Sequence, residues 1–437
     1  MKKKIFATTL ALTLALLEIV IMLSGCASSA VAAGWAGVTV SGDSVYTISS
    51  QGQLVALSLA DLTKTNWTAA VEGVASSGGF LGCSASSTIV AVYGTPVVSG
   101  DTVYVAGYNG KVYSYSISKQ SESSNILLDQ DDSKPIVGGP VVDQGKVFVA
   151  SSNGNLYALD ATTLAQIWKF PTGNKIWSTP AVDNGTVFVG SFDKKVYAVD
   201  EATGNKKWSF NTQGAIIATP VIDNGTVYVA SFDRHIYALD EATGNLKWQY
   251  PAAGAGDGPR QWFWATPVIS EGFLYAPCLD GKVYAVSTAN SSNVVVFNLG
   301  KSISAAPVVS DGQVIAATED GKIFSLMAST SKQTLLMDLK KIEIIGSDNK
   351  TITPNNAVVN SALSEHDGVV LVHALQPDVL YAIDLASNIP THRLLSGSGS
   401  ATTVTTPVTV TTTITAPPVT ITTTVTTTLT VTVTATK

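Results

Sequence analysis

From residue 37 onward the chain is written in short alternating apolar runs separated by turn residues, and the pattern recurs about every 40 positions. Two consecutive copies are nearly identical. STPAVDNGTVFVGSFDKKVYAVDEATGNKKW is followed by ATPVIDNGTVYVASFDRHIYALDEATGNLKW at an offset of 40 residues. Each copy holds four apolar runs, which in the second read PVIDNG, TVYVASF, HIYALD and LKWQY. Alternation of this length, rich in Val, Ile, Tyr and Trp, predicts strands rather than helices. Asn224-Gly225 supplies the φ > 0 positions of a tight hairpin, and Thr243-Gly244-Asn245 serves a second turn. One unit is therefore predicted to be a four-stranded antiparallel meander. A lone sheet of this kind cannot bury both faces, so neighbouring units must stack on it.

The prolines that open each unit count the repeats. Pro96, Pro140, Pro180, Pro220, Pro267 and Pro307 are spaced by 44, 40, 40, 47 and 40 residues. An earlier unit starts at Gly37, and a degenerate last one carries Asp367-Gly368 and Leu380-Tyr-Ala-Ile-Asp384. The expected fold is all-β, an eight-bladed β-propeller of four-stranded antiparallel blades over residues 37–395, with seven blades as the competing count. Three insertions interrupt the rhythm, at 68–93, 251–264 and 340–356. Repeat proteins place such insertions on their rims, where binding surfaces lie.

Within the repeat one spacing stands out. Ala198, Asp200, Thr203, Gly204 and Trp208 recur as Ala238, Asp240, Thr243, Gly244 and Trp248. A third copy has Ala158, Asp160, Thr163 and Trp168, with Leu164 where glycine is expected. This resembles the tryptophan-docking motif of quinoprotein (PQQ-type) propellers, Ala-x-Asp-x-x-Thr-Gly-x-x-x-Trp. The resemblance implies that each indole packs between adjacent blades near a glycine of the motif, a structural role. A buried Trp removes about 150–250 Å² from water, roughly 4–6 kcal/mol gross. Elsewhere the motif decays: Trp67 comes one residue late, and Ser116, Ser287 and Met327 stand where aspartate is expected.

Composition changes the picture at both ends. Lys2, Lys3 and Lys4 precede an apolar stretch, and Leu23-Ser24-Gly25-Cys26 resembles the bacterial lipobox. Residues 1–25 then read as a signal peptide, Cys26 as the lipidated residue and 26–36 as a tether; an uncleaved membrane anchor is the alternative. Residues 396–437 are a Thr/Val/Pro-rich low-complexity tail, read as a disordered stalk, though its Thr-Val alternation also suits a strand. The net charge of −6 and the lack of any basic run after Lys4 argue against nucleic acid as a partner.

Chemistry is sparse. Quinoprotein alcohol dehydrogenases share the repeat, but the vicinal cysteine pair and calcium site that the resemblance implies for them have no counterpart here. Cys83 and Cys278 are far apart and read as free thiols. His235, His366, His373 and His392 show no ligand spacing with either. No catalytic residue, cofactor or metal is expected. The candidates for partner binding are aromatic: Phe192 and Phe232 at equivalent turns, and Arg260, Trp262, Phe263 and Trp264 in the second insertion, residue types enriched at interface hot spots.

Lipobox, acidic propeller and missing cofactor machinery together resemble the BamB family of outer-membrane β-barrel assembly lipoproteins. That likeness implies a non-enzymatic, lipid-anchored scaffold outside the cytoplasm of a bacterium. It would work as a monomeric propeller within a complex, with envelope proteins or a cell-wall polymer as partners. A PQQ-dependent dehydrogenase oxidising an alcohol or sugar is the alternative.

Overall fold

The computed structural model describes residues 34–71, 90–130, 134–252, 258–345 and 351–395, and two strands of the tail. Eight four-stranded sheets follow one another, each built from consecutive strands in simple up-down order. The blades occupy residues 39–70, 97–127, 141–171, 181–211, 221–250, 268–298, 308–338 and 364–394. The fourth blade is representative, with strands Ala181–Asp183, Thr186–Gly190, Lys195–Asp200 and Lys206–Asn211. Its second strand is buried throughout, whereas in the outermost strand only Trp208 is buried.

The core is divided among the joins. Eight apolar clusters each combine side chains of two adjacent blades, and the last joins Val45 and Leu57 of blade 1 to Leu371 and Leu380 of blade 8. The ring is therefore closed by eight blades. Among the described residues no strand is exchanged across the closure. Polar contacts reinforce it: the Ser50 amide and hydroxyl donate to Asp378 at 2.8 and 2.7 Å, and Arg393 donates to the Thr63 carbonyl at 2.7 Å. Asp378 also lies 2.7 Å from His373, whose other ring nitrogen is 2.8 Å from the Ala36 carbonyl. Burial acts to raise the Asp378 carboxyl, but the bonds from His373 and Ser50 outweigh it and hold it below the usual range.

Strand direction sorts the loops. Because the four strands alternate, the hairpin between second and third strands and every blade-to-blade join open on one face. The remaining turns open on the other. All three insertions are joins, so they share the first face, termed here the connection face; the opposite one is the cap face. In the third insertion a 3-10 turn, Leu339–Lys341, precedes a small ribbon of Ile344–Ile345 with Thr351–Ile352. The first insertion, together with Cys83, falls mostly outside the described residues, as do Cys26 and the signal segment.

In the tail, Val410–Ala416 and Val419–Val425 pair as an antiparallel ribbon, which is the strand-forming tendency of the Thr-Val alternation. The rest of 396–437 lies outside the described residues. Among the described residues no helix is long and apolar enough to cross a membrane.

Candidate interaction face

The docking motif lies toward the cap face and locks blade to blade. The indole N–H of Trp168 donates to the Glu201 carbonyl of the next blade at 3.0 Å, Trp208 to Glu241 at 2.8 Å and Trp248 to Thr288 at 3.2 Å. Gly204 has φ +74°, and a Cβ there would sit 2.8 Å from Trp168; at Gly244, with φ +72°, it would sit 2.7 Å from Trp208. Asp160, Asp200 and Asp240 accept the amide and hydroxyl of Thr163, Thr203 and Thr243 at 2.8–3.0 Å. Those bonds hold the three carboxyls below the ordinary range. Trp67 joins this set: an extra turn residue absorbs its late position, and it stands opposite Ala56 as Trp168 stands opposite Ala158. Blade 2 has Ser124 where the indole belongs. Leu164, at φ +58°, is fully buried at the blade 2–3 join and fills the space where a glycine would otherwise meet a ring.

The partner candidates lie on the connection face, and the structure brings most of them together. Phe192 and Phe232 meet edge to face at 6.5 Å, and Phe232 stacks on Trp262 at 4.8 Å and on Trp264 at 6.0 Å. Trp177 extends the line, 4.8 Å from Phe192, and Lys175 caps both rings at 4.3 Å. The result is an arc of rings spanning the joins of blades 3 to 6. Trp262 is 48% exposed. Phe263 departs from the expectation. Its side chain is fully buried, 6.0 Å from Tyr284, because alternation along the insert turns it into the core beneath the arc. Arg260 is exposed beside it, its amide donating to Asp280 at 3.1 Å.

The arc borders the axial opening, a cavity of about 140 Å³ whose wall includes Trp35, Tyr93, Trp177 and Trp264. Tyr93 contacts Trp35 at 4.3 Å and Tyr108 at 5.1 Å, a second aromatic group across the mouth. A larger cavity of about 570 Å³ opens by the third insertion, with Lys301, Glu319, Asp320 and Lys340 in its wall. Trp35, Tyr93, Trp177 and Lys175 escape a sequence reading because each stands just before a unit begins, outside the repeated strands.

A further repeat supports this face. Asp193, Asp233 and Asp280 in the hairpins accept Tyr197, Tyr237 and Tyr284, four residues on, at 2.6, 2.8 and 2.7 Å. Asn109 and Asn153 donate to Tyr113 and Tyr157 in the same places, both at 2.7 Å. Each aspartate oxygen that takes the phenol also takes an amide from the preceding join: Gly173, Gln213 or Arg260. Burial, with the neighbouring carboxylate, pushes Tyr197, Tyr237 and Tyr284 well above the usual phenol range. The carboxylates under the arc thus fix the loops that carry the rings.

Cys278 is a buried free thiol, donating to the Gln261 carbonyl at 3.3 Å, and burial pushes it up to about 12. It is a packing residue. Among the described residues no three His, Cys, Asp or Glu side chains are placed to hold a metal ion. What the face can do physically is present rigid rings with few rotamers, pre-ordered by stacking worth about 0.5–1.5 kcal/mol per pair.

Comparison with known proteins bears on the family. A family model described as "Outer membrane protein assembly factor BamB" matches residues 81–170, 128–215 and 165–388. Among solved structures, BamB from Moraxella catarrhalis is similar with a TM-score of 0.60 at 14% identity, over 78% of this chain and 94% of that one. A computationally designed protein, Ika8, is similar with a TM-score of 0.61 at 16% identity, over 80% of this chain and 96% of that one. At such identities the likeness is one of fold. No curated protein sequence matches the chain.

Proposed function

The chain belongs to the PQQ-like propeller family of the outer membrane protein assembly factor BamB, and from that premise we propose a non-enzymatic, membrane-tethered scaffold that binds protein partners in a bacterial envelope. The observation that carries this reading is the arc Trp177–Phe192–Phe232–Trp262/Trp264. Five rings, on the hairpins of blades 4 and 5 and the joins beside them, are held edge to face or stacked, partly exposed, on the face that also collects the insertions. Aromatic side chains beside Lys175 and Arg260 have the composition of an interface hot spot. Their supporting carboxylates are engaged by phenols and amides, a structural use. The lipobox at Cys26 supplies the tether and puts the propeller outside the cytoplasm.

The test is a crosslinking pull-down of the full chain from its own envelope, with captured proteins identified by mass spectrometry. A captured assembly component, lost when 260–264 are replaced by Gly and Ser, supports the reading and places the partner on the arc. Capture of nothing, with a quinone absorbance in the purified chain and alcohol-dependent dye reduction, overturns it in favour of a dehydrogenase.

A further inference from the structure

The outermost strand of a propeller blade leaves one row of main-chain donors and acceptors without a neighbour. Proteins blunt such edges with bulges, charges or proline, because an open regular edge pairs with other chains. Seven blades here do so. Six outer strands shift register against their neighbour: Thr65–Ala70, Ser121–Leu127, Gln166–Pro171, Lys206–Asn211, Leu246–Tyr250 and Lys332–Asp338. The outer strand of blade 8, Ile389–Leu394, keeps its register but contains Pro390 and Arg393.

Blade 6 has none of these devices. Its outer strand, Val294–Asn298, reads Val-Val-Val-Phe-Asn and pairs without a break from Val286 opposite Val294 to Lys282 opposite Asn298. The flanking bonds set the phase of the ladder. The Ser287 amide donates to Asn293 at 2.9 Å, and the Leu299 amide to Gly281 at 2.8 Å. In the alternation of an antiparallel pair, Val295 and Phe297 then bond inward, while Val294, Val296 and Asn298 aim their main-chain groups outward. Gln333 of the next blade donates to the Asn298 carbonyl at 3.1 Å and closes that end. Among the described residues nothing meets the outward groups of Val294 and Val296. The Val296 side chain is 46% exposed, and the neighbouring outer strands expose Leu246 and Leu335.

We propose that Val294–Asn298 accepts an extended strand of a partner protein by edge pairing, and that the paired segment is uncharged with alternating apolar side chains. The edge itself selects this chemistry. A strand without charges returns nothing for the desolvation of a charged segment. Two residues with free N–H and C=O groups, two positions apart, match the repeat of a strand. The exposed Val296 offers a contact for every second partner side chain. The open stretch is short, so the contact is weak and exchangeable. This deepens the scaffold reading and rests on it for the existence of a protein partner.

The experiment is hydrogen exchange on the full chain, with and without a soluble peptide of three Thr-Val repeats between terminal lysines. The expected result is peptide-dependent slowing of the Val294 and Val296 amides, with the other blade edges unchanged. Val296→Pro removes one outward N–H without breaking a ladder bond, as proline is tolerated on edges; it weakens peptide binding about tenfold or more. Val296→Lys, which keeps the backbone, does the same by restoring a charged edge. A peptide N-methylated at every residue, with neither edge able to donate, does not bind. Equal binding of the N-methylated peptide, or no slowing at these amides, overturns the proposal. So does slowing already present in the isolated chain and abolished by Ile414→Pro with Ile421→Pro, which would make the chain's own tail the occupant. The assay needs no envelope partner, so its failure is read separately from a failed pull-down on the arc.

Discussion

Gly225 and Gly244 share a left-handed backbone but not their surroundings. At Gly225, φ +69°, a methyl group would meet nothing within 4 Å; at Gly244 it would lie 2.7 Å from the Trp208 ring. Both substitutions to alanine pay the conformational cost of about 1 kcal/mol. Gly244→Ala adds overpacking of about 1–3 kcal/mol against a ring wedged between two blades. Urea unfolding should therefore rank Gly244→Ala well below Gly225→Ala, by about 1–3 kcal/mol; equal costs would mean that the indole has room to retreat. The Trp–Gly pairing was legible because its spacing recurs in register. Two things were not. Trp67 looked misplaced because a longer turn hides its register, and the burial of Phe263 depends on a core that only the folded ring creates. The Asn/Asp-to-Tyr spacing was present in five units but resembles ordinary turn chemistry until the phenol is seen to reach back.

At the scale of a blade, that spacing makes the hairpin a rigid mount. Tyr197, Tyr237 and Tyr284 each donate to a carboxylate that also fixes the preceding join, so the phenol must stay protonated for the loop to hold. Their folded-state pKa values lie above the ordinary value near 10. Folded phenols then keep protons that unfolded ones lose at high pH. The stabilisation is fully present below about pH 10 and declines as pH rises past it. Thermal unfolding from pH 7 to 11 should show a flat region and then a fall, and the triple Tyr→Phe variant should be less stable at pH 7 with a shallower fall. An equally steep fall in that variant would assign the alkaline loss to other groups. Strand positions and turns were readable in the alternation, including those of the degenerate last unit. The regularity of Val294–Asn298 was not, since a bulge depends on two strands at once.

For the whole ring, the number of units followed from counting prolines and hairpins, but the closure did not, because its partners are more than 300 positions apart in sequence. Without an exchanged strand among the described residues, the blade 1–8 join rests on one apolar cluster, on Arg393, and on Asp378, which bridges His373 and Ser50. Asp378→Ala leaves buried His373 and half-buried Ser50 without this acceptor, at a cost of about 1–3 kcal/mol. Hydrogen exchange should then speed up in residues 49–53 and 373–379 before any other blade responds. Uniform acceleration around the ring would mean that the eight joins open as one unit. The alternation of strands has one more consequence. The chain enters blade 1 and leaves blade 8 on the connection face, so a reporter or affinity tag joined directly to residue 37 or residue 395 would share a side with the aromatic arc. A circular permutant cut at Asn224-Gly225 would carry its new ends on the cap face. It would turn the same ring over on a solid support and leave the connection face free for capture.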